Sequence, residues 1–250
     1  MTVYRIDLAY DGSGFRGYAV QPNVRTVQAE LERGLRYRIP GVDTVVAGRT
    51  DAGVHAHGQV VSFETDQPVD TVRLQRSLNK LLNPEIAIKA LTAVPDDFNA
   101  RFSATSRTYL YRIDRADVMD PRWRHHAWRV EYRLDLPKMM AASEHFIGTH
   151  DFTSFCRLAA RRSPVREVRS VDWRDIGQGI LEFEITASSF CHQLVRSLVA
   201  VCVDIGRGRV EPDAIPPMLM AKDRSLASGA APAHGLTLWN VGYGDVPSHE

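Results

Sequence analysis

Lysine, cysteine and long apolar runs are scarce in this 250-residue sequence. Its three cysteines, Cys156, Cys191 and Cys202, are an odd number without C-x-x-C spacing, so we expect neither a disulfide framework nor a zinc knuckle. No apolar run reaches the length of a membrane span, and the first residues alternate between apolar and polar side chains, unlike an export signal. These features predict a cytoplasmic protein that does not contact membranes.

Arginine supplies nearly all of the positive charge, because only four of the 31 basic residues are lysines. The formal net charge is +1, which does not by itself indicate a nucleic-acid partner. The arginines are clustered: Arg161 and Arg162 lie in a basic run over residues 157–169, and arginines alternate with tryptophans over residues 122–129. Such clusters are typical of phosphate-binding surfaces. An arginine-rich composition with the side chains in solvent explains them equally well.

The spacing of apolar residues predicts an α+β fold. Alternating polarity is typical of antiparallel strands, and it predicts strands near residues 3–10, 86–91, 107–113, 167–176, 179–190 and 235–243. Apolar residues at helical spacing predict helices near 26–35, 74–82, 136–148, 193–206 and 213–224. Thr26 is the expected N-cap of the first helix, and Asn83-Pro84 is expected to end the second.

This pattern repeats along the chain and predicts two similar α+β halves, 1–116 and 117–250, with the crossover near residues 117–124. The strands of the halves are expected to join in one mostly antiparallel sheet with helices on one face. The other face and the cleft between the halves would then be left for a ligand.

Asp51 lies between two β-branched runs, Val45-Val46 and residues 60–63, with glycines punctuating the chain between them. The sequence therefore predicts that Asp51 lies on a loop between two strands. Loops held by a rigid sheet often carry catalytic groups. A tight Asp-x-Gly turn, in which Asp51 bonds only its own backbone, is an equally good interpretation of the pattern.

A second glycine-rich segment matches G-x-G-x-x-G at Gly12, Gly14 and Gly17, directly after the first predicted strand. A dinucleotide-binding fingerprint requires a helix that begins at its third glycine and receives the pyrophosphate. Here Pro22 interrupts the chain, and the helix is expected only near Thr26. We therefore reject the dinucleotide interpretation.

Two further kinds of site are disfavoured near Asp51. His55 and His57 share one face of an extended segment, but the sequence marks no third and fourth ligand, so we predict no metal. A glycosidase needs two carboxyl groups at a set separation, and no second carboxylate lies close to Asp51 in sequence. A single carboxylate instead favours a nucleophile or a lone base.

Six segments, in their order along the chain, resemble the signature segments of the tRNA pseudouridine synthase A family. They read YDGSGFRGY, AGRTDAGVHAHGQVVSF, VPDDFNARFSATSRTYLYRI, HDFTSF, FCHQLVRS and AKDRSLASGAAPAHGLTL, of which GRTDAGVHA is the most specific. The resemblance spans nearly the whole chain. It implies the pseudouridine synthase fold with a central RNA-binding cleft, and a homodimer that isomerises uridine to pseudouridine in the anticodon stem-loop of tRNA without a cofactor.

The resemblance also implies roles for residues in these motifs. Asp51 is similar to the family's catalytic aspartate, Tyr109 to the tyrosine that stacks on the target uracil, and Arg196 to the arginine that pairs with the aspartate. Arg49 resembles the arginine that helps to hold the flipped base out, and Leu236 the apolar residue that lines the base pocket.

Three of the basic residues, and one tyrosine, also have interpretations that need no RNA. Arg161 and Arg162 are expected to hold the tRNA backbone, or else to belong to a solvated surface. Arg196 lies in an otherwise apolar helix and is expected to need a partner, which the resemblance implies is Asp51, although a long arginine stem can also reach water. Tyr109, in turn, shares a strand face with Tyr111, and both are also explained as core residues.

The sequence departs from the family motifs in two places: it has Tyr18-Ala19 where members usually read W-Q, and Ser197 where V-R-N is usual. An RNA-binding relative that has lost activity is therefore the alternative function. Release of the hydrogen on uracil C5 distinguishes the two, because only isomerisation expels it.

Overall fold

The computed structural model describes residues 1–157 and 163–244. The strands are β1 Thr2–Tyr10, β2 Val45–Val46, β3 His55–Thr65, β4 Ile86–Val94, β5 Ser106–Asp114, β6 Trp128–Arg129, β7 Gly148–Asp151, β8 Val165–Asp175, β9 Ile180–Ala187 and β10 Leu236–Gly242. The α-helices are α1 Val27–Arg36, α2 Thr71–Leu82, α3 Leu136–Glu144, α4 Leu194–Gly206 and α5 Ile215–Ala221. In these two ranges no helix has the length and apolar character needed to cross a membrane.

The described chain forms two compact units. The first comprises Met1–Thr105 together with the chain from Thr237 onward, and the second comprises Ser106–Leu236. This division differs from the predicted halves, because β10 returns to the first unit and pairs in parallel with β3, and because β5 pairs along its length with β9. The prediction of an α+β fold with mostly antiparallel strands is confirmed.

In the first unit, β1 pairs antiparallel with both β3 and β4. Helix α1 begins as expected, since the Thr26 side chain accepts a hydrogen bond from the Ala29 N–H over 3.3 Å. Helix α2 packs against α1, and a Cβ atom at Gly34 would lie 2.9 Å from Leu78. The Asn79 amide then docks α2 on β4 by bonding both backbone groups of Ile88, over 2.7 and 2.9 Å.

In the second unit, β9 lies between β5 and β8 with antiparallel pairing, and β7 extends the sheet beyond β8. Helix α4 is almost wholly buried, and Arg196 and Asp204 are its two partly exposed residues. Helix α3 packs against α4 so closely that a Cβ atom at Gly206 would lie 2.7 Å from the Met139 sulfur. The apolar character of α4 therefore reflects a central place in this unit's core.

The cysteines correct one expectation from the sequence. Cys156 and Cys191 form a disulfide whose Cα atoms are 5.8 Å apart, within the range that such bonds span. The two residues are 35 positions apart and share no local motif, so only the fold brings them together. Cys202 is a free thiol inside α4, and burial raises its pKa.

Candidate active site

Asp51 lies on the short connection between β2 and β3, as predicted, and is half-buried. The connection is shorter than the sequence indicated, because β3 already begins at His55. Residues at this end of β3 pair with two strands at once: Ala56 is opposite Tyr10 of β1 and opposite Leu238 of β10. Long-range pairing thus extends the strand towards Asp51.

Backbone hydrogen bonds hold the Asp51 loop on both sides. The Tyr18 N–H donates to the Thr50 carbonyl over 3.1 Å, and the Val54 N–H donates to the Asp51 carbonyl over 3.1 Å. Arg49, beside them, has an exposed side chain. The carboxylate of Asp51 is therefore carried by a backbone whose position is fixed, with an exposed cation two residues away.

Side chains from β1 and β3 hold the same loop from inside the unit. The Tyr10 hydroxyl lies 2.8 Å from Thr50 Oγ1, and the Gln59 amide donates to the Gly48 carbonyl over 2.8 Å. Burial raises the pKa of Tyr10 to about 12, so its phenol stays neutral at working pH. The sequence did not mark these residues, because Tyr10 and Gln59 look like ordinary strand positions.

The glycine-rich segment packs directly against the Asp51 loop. A Cβ atom at Gly12 would lie only 2.0 Å from the Val54 carbonyl oxygen, and the Gly12 N–H donates to His55 Nδ1 over 3.0 Å. Gly17 has a φ of +99°, and a Cβ atom there would lie 3.1 Å from the Thr50 carbonyl oxygen. Close backbone packing against the Asp51 loop thus explains Gly12 and Gly17 without a dinucleotide.

Tyr109 and Tyr111 occupy β5 of the second unit, in different surroundings. Tyr109 packs edge-on against Phe190, with ring centroids 5.0 Å apart and an angle of 85° between the planes. Tyr111 is fully buried, and its hydroxyl donates to the Pro232 carbonyl over 2.8 Å. Tyr111 is therefore a core residue, whereas Tyr109 retains slight exposure of 8% beside a second aromatic ring.

Arg196 is half-buried in the first turn of α4. Its Nε donates to the Ala231 carbonyl over 2.7 Å, and the Ala231 N–H donates to the Arg196 carbonyl over 3.0 Å. The guanidinium is thus held against the segment that leads to β10. Asp51 and Arg196 belong to different units, and their pairing stays a prediction.

Three other predicted site residues complete the description. Leu236 is buried at the start of β10, directly after Gly235, whose missing side chain leaves room for the Tyr111 ring. Arg161 and Arg162 lie outside the described residues. In the remainder of the chain, no group of three or more His, Cys, Asp or Glu side chains is arranged to hold a metal ion.

Known proteins resemble this chain over nearly all of its length. The family model described as tRNA pseudouridine synthase matches residues 8–103 and 142–244. The tRNA pseudouridine synthase A of Listeria monocytogenes serovar 1/2a is 42% identical over 247 residues, covering 97% of this chain and 100% of that protein. That of Bacillus subtilis strain 168 is 43% identical over 243 residues, covering 94% of this chain and 97% of that protein. The chain belongs to the tRNA pseudouridine synthase family.

The chain also resembles, more distantly, one chain of a solved structure, the crystal structure of a Cbf5-Nop10-Gar1 complex. The identity is 13% and the TM-score 0.38, with 80% of this chain covered. The chain spans 45% of the length of that solved chain.

Of the residues that depart from the tRNA pseudouridine synthase motifs, Tyr18 and Ser197 are buried and Ala19 is partly exposed. Tyr18 is fully buried, and its backbone N–H makes the bond to the Thr50 carbonyl described above. Ser197 is 1% exposed within α4, next to Arg196. Tyr18 therefore keeps a backbone contact with the Asp51 loop that does not depend on which side chain is present.

Proposed function

We propose that this chain isomerises uridine to pseudouridine in tRNA, with Asp51 as its catalytic residue. The observation that carries the proposal is the place of Asp51: it lies in GRTDAGVHA, the most specific family motif, on a loop fixed by hydrogen bonds to Tyr18, Tyr10 and Val54. Membership of the tRNA pseudouridine synthase family supports the same reaction.

The reaction needs little from the protein beyond one carboxylate and a shaped site. It breaks the bond between uracil N1 and ribose C1′, turns the base, and joins C5 to C1′. N1 gains a proton and C5 loses one, so the product is an isomer and neither a redox partner nor a hydrolytic water is consumed. The ionised Asp51 carboxylate either attacks the nucleoside or removes a sugar proton.

We propose further roles, implied by the motif resemblance, for residues that serve this carboxylate and the base. A stacked base cannot be reached, so the target uridine is flipped out, and Tyr109 offers an aromatic face to receive it. Leu236 lines the base pocket, and Arg49 holds the RNA in the flipped arrangement. The Arg196 guanidinium pairs with Asp51 and directs its carboxylate at the nucleoside.

The partner is proposed to be the anticodon stem-loop of tRNA, bound by a cytoplasmic homodimer. The stem-loop and the homodimer come from the motif resemblance, and the cytoplasmic location comes from the composition of the sequence. Arg161 and Arg162 would contact phosphates of the tRNA backbone, since clustered arginines recognise phosphate well.

Tritium release from tRNA labelled at uracil C5 tests the function. We expect release by the natural protein and none by Asp51→Asn, with tRNA affinity retained, because the amide keeps the size of the side chain but cannot act as nucleophile or base. Asp97→Asn, an exposed loop aspartate in the same unit, is the matched control and should retain activity. Binding without release by the natural protein would instead identify an inactive RNA-binding relative.

A further inference from the structure

A chain of buried hydrogen bonds ends next to Asp51. The Gln59 amide donates to the Tyr10 hydroxyl oxygen over 3.3 Å, and that hydroxyl lies 2.8 Å from Thr50 Oγ1. All three side chains are nearly inaccessible: Gln59 is 0% exposed, Tyr10 4% and Thr50 8%. Water therefore cannot easily replace any one of these hydrogen bonds when it is removed.

Gln59 is the donor at one end of these hydrogen bonds, because its Nε2 atom carries only N–H protons. The same Nε2 atom also donates to the Gly48 carbonyl over 2.8 Å. The Tyr10 oxygen accepts from Gln59, and either hydroxyl can be the donor in its bond to Thr50 Oγ1. Burial raises the pKa of Tyr10 to about 12, so the phenol keeps its proton near neutral pH and the bond to Thr50 persists.

These bonds fix the residue before Asp51 by its side chain as well as by its backbone. Thr50 shares a hydrogen bond with the Tyr10 hydroxyl at Oγ1 and accepts the Tyr18 N–H at its carbonyl oxygen, 3.1 Å away. The Thr50 peptide plane leads directly into Asp51, so its orientation sets the direction in which the Asp51 Cα–Cβ bond leaves the loop.

We propose that Tyr10 is a positioning residue for the isomerisation, acting through Thr50 to direct the Asp51 carboxylate at the nucleoside. The inference rests on the proposed function. Tyr10 does not itself contribute to the chemistry; it restricts the rotation of the Thr50–Asp51 peptide. An error of about 1 Å in the position of a catalytic group can reduce a rate by up to about 100-fold, so a modest loss of order is sufficient to be measured.

The first test compares Tyr10→Phe with Tyr4→Phe. Tyr4 lies on the same strand, is 7% exposed, and its hydroxyl has no hydrogen-bond partner among the described residues. We expect Tyr10→Phe to lower kcat about tenfold while KM for tRNA changes by less than about twofold, because binding groups are untouched. Tyr4→Phe should leave both constants unchanged.

The second test uses Thr50, so that the proposal stays testable if Tyr10→Phe folds poorly. Thr50→Val removes the hydroxyl and should lower kcat as Tyr10→Phe does, whereas Thr50→Ser keeps it and should restore most of the rate. In the double variant Tyr10→Phe/Thr50→Val the losses should not add, since both remove the same bond.

Several results would overturn the inference. They are a normal kcat for Tyr10→Phe, equal rates for Thr50→Val and Thr50→Ser, or fully additive losses in the double variant. A loss that appears in KM instead of kcat would assign Tyr10 to RNA binding. Failure of the proposed function is recognised separately, because it requires that the natural protein release no tritium or that Asp51→Asn remain active.

Discussion

Arg196 donates its Nε proton to the carbonyl oxygen of Ala231, over 2.7 Å. This bond commits the Nε proton of the guanidinium to a backbone acceptor. It also ties the rotamer of Arg196 to a segment 35 residues away in sequence. A lysine at this position has one charged atom, which cannot satisfy Ala231 and a carboxylate in the same way.

The first prediction follows from that geometry. Arg196→Met should lower kcat about 100-fold or more, because a charge that stabilises and directs Asp51 is lost. Arg196→Lys should recover only part of the rate, since it restores the charge without the fork. Single-turnover tritium release measures both variants, and a near-normal rate for Arg196→Met would show that Arg196 is not the partner of Asp51.

The second prediction concerns the arginine run that the sequence places at Arg161 and Arg162. Their replacement by alanine should weaken all tRNAs alike and flatten the plot of log affinity against log salt by about 0.7–0.9 per lost phosphate contact. The same change at Arg73 and Arg76, two exposed residues of α2, reports the effect of net charge alone. Equal slopes for the two double variants would assign Arg161 and Arg162 to the solvated surface.

The third prediction concerns the contact between the glycine-rich segment and the Asp51 loop. Gly12→Ala should destabilise the fold by about 1–3 kcal/mol, since the added Cβ meets the Val54 carbonyl and neither backbone can move freely. Gly244→Ala is the control, because nothing lies within 4 Å of a Cβ atom there. Urea unfolding compares the two variants, and equal stabilities would show that the segment can move away from the loop.

The fourth prediction is a pH dependence. Arg25 binds both carboxylate oxygens of Glu85, over 2.8 and 2.7 Å, and these hydrogen bonds lower the pKa of Glu85. A lowered folded pKa means that the stabilisation is fully present above the unfolded pKa, near about 4, and is lost as pH falls through the folded pKa. The Glu85 side chain is 37% exposed, so the contribution is about 1 kcal/mol or less.

Glu85→Gln should therefore be less stable than the natural protein at pH 7, and the difference should disappear in strong acid. Glu64→Gln, an exposed position on β3, should show no such difference. Urea unfolding at several pH values measures both. A Glu85→Gln difference that persists unchanged in strong acid would contradict the assigned role of the ion pair.

Features decided by neighbouring residues were predictable from the sequence. Thr26 caps α1, and Asp51 lies on a connection between strands, because capping and turn chemistry act over a few residues. The extent of β3 was not predictable: its first residues pair with Tyr10 and with Leu238, which are distant in sequence. The short strands β6 and β7 were also missed, since they are too short to show alternating polarity.

The side chains that hold the Asp51 loop could not be predicted from the sequence, for the same reason. Tyr10 and Thr50 are 40 residues apart, and nothing local to either one predicts their hydrogen bond. The motif located the carboxylate, but the side chains that hold its loop belong to strands whose pairing only the fold defines.

The bond between Cys156 and Cys191 closes a loop of 35 residues that contains β8, β9 and the arginine run. Closing a loop restricts the unfolded chain, and for this length the chain-entropy contribution is about 4 kcal/mol. A reducing compartment would cancel that contribution without changing any residue of the Asp51 loop, which belongs to the other unit. The thermal stability of the second unit therefore depends on whether its surroundings are oxidising or reducing.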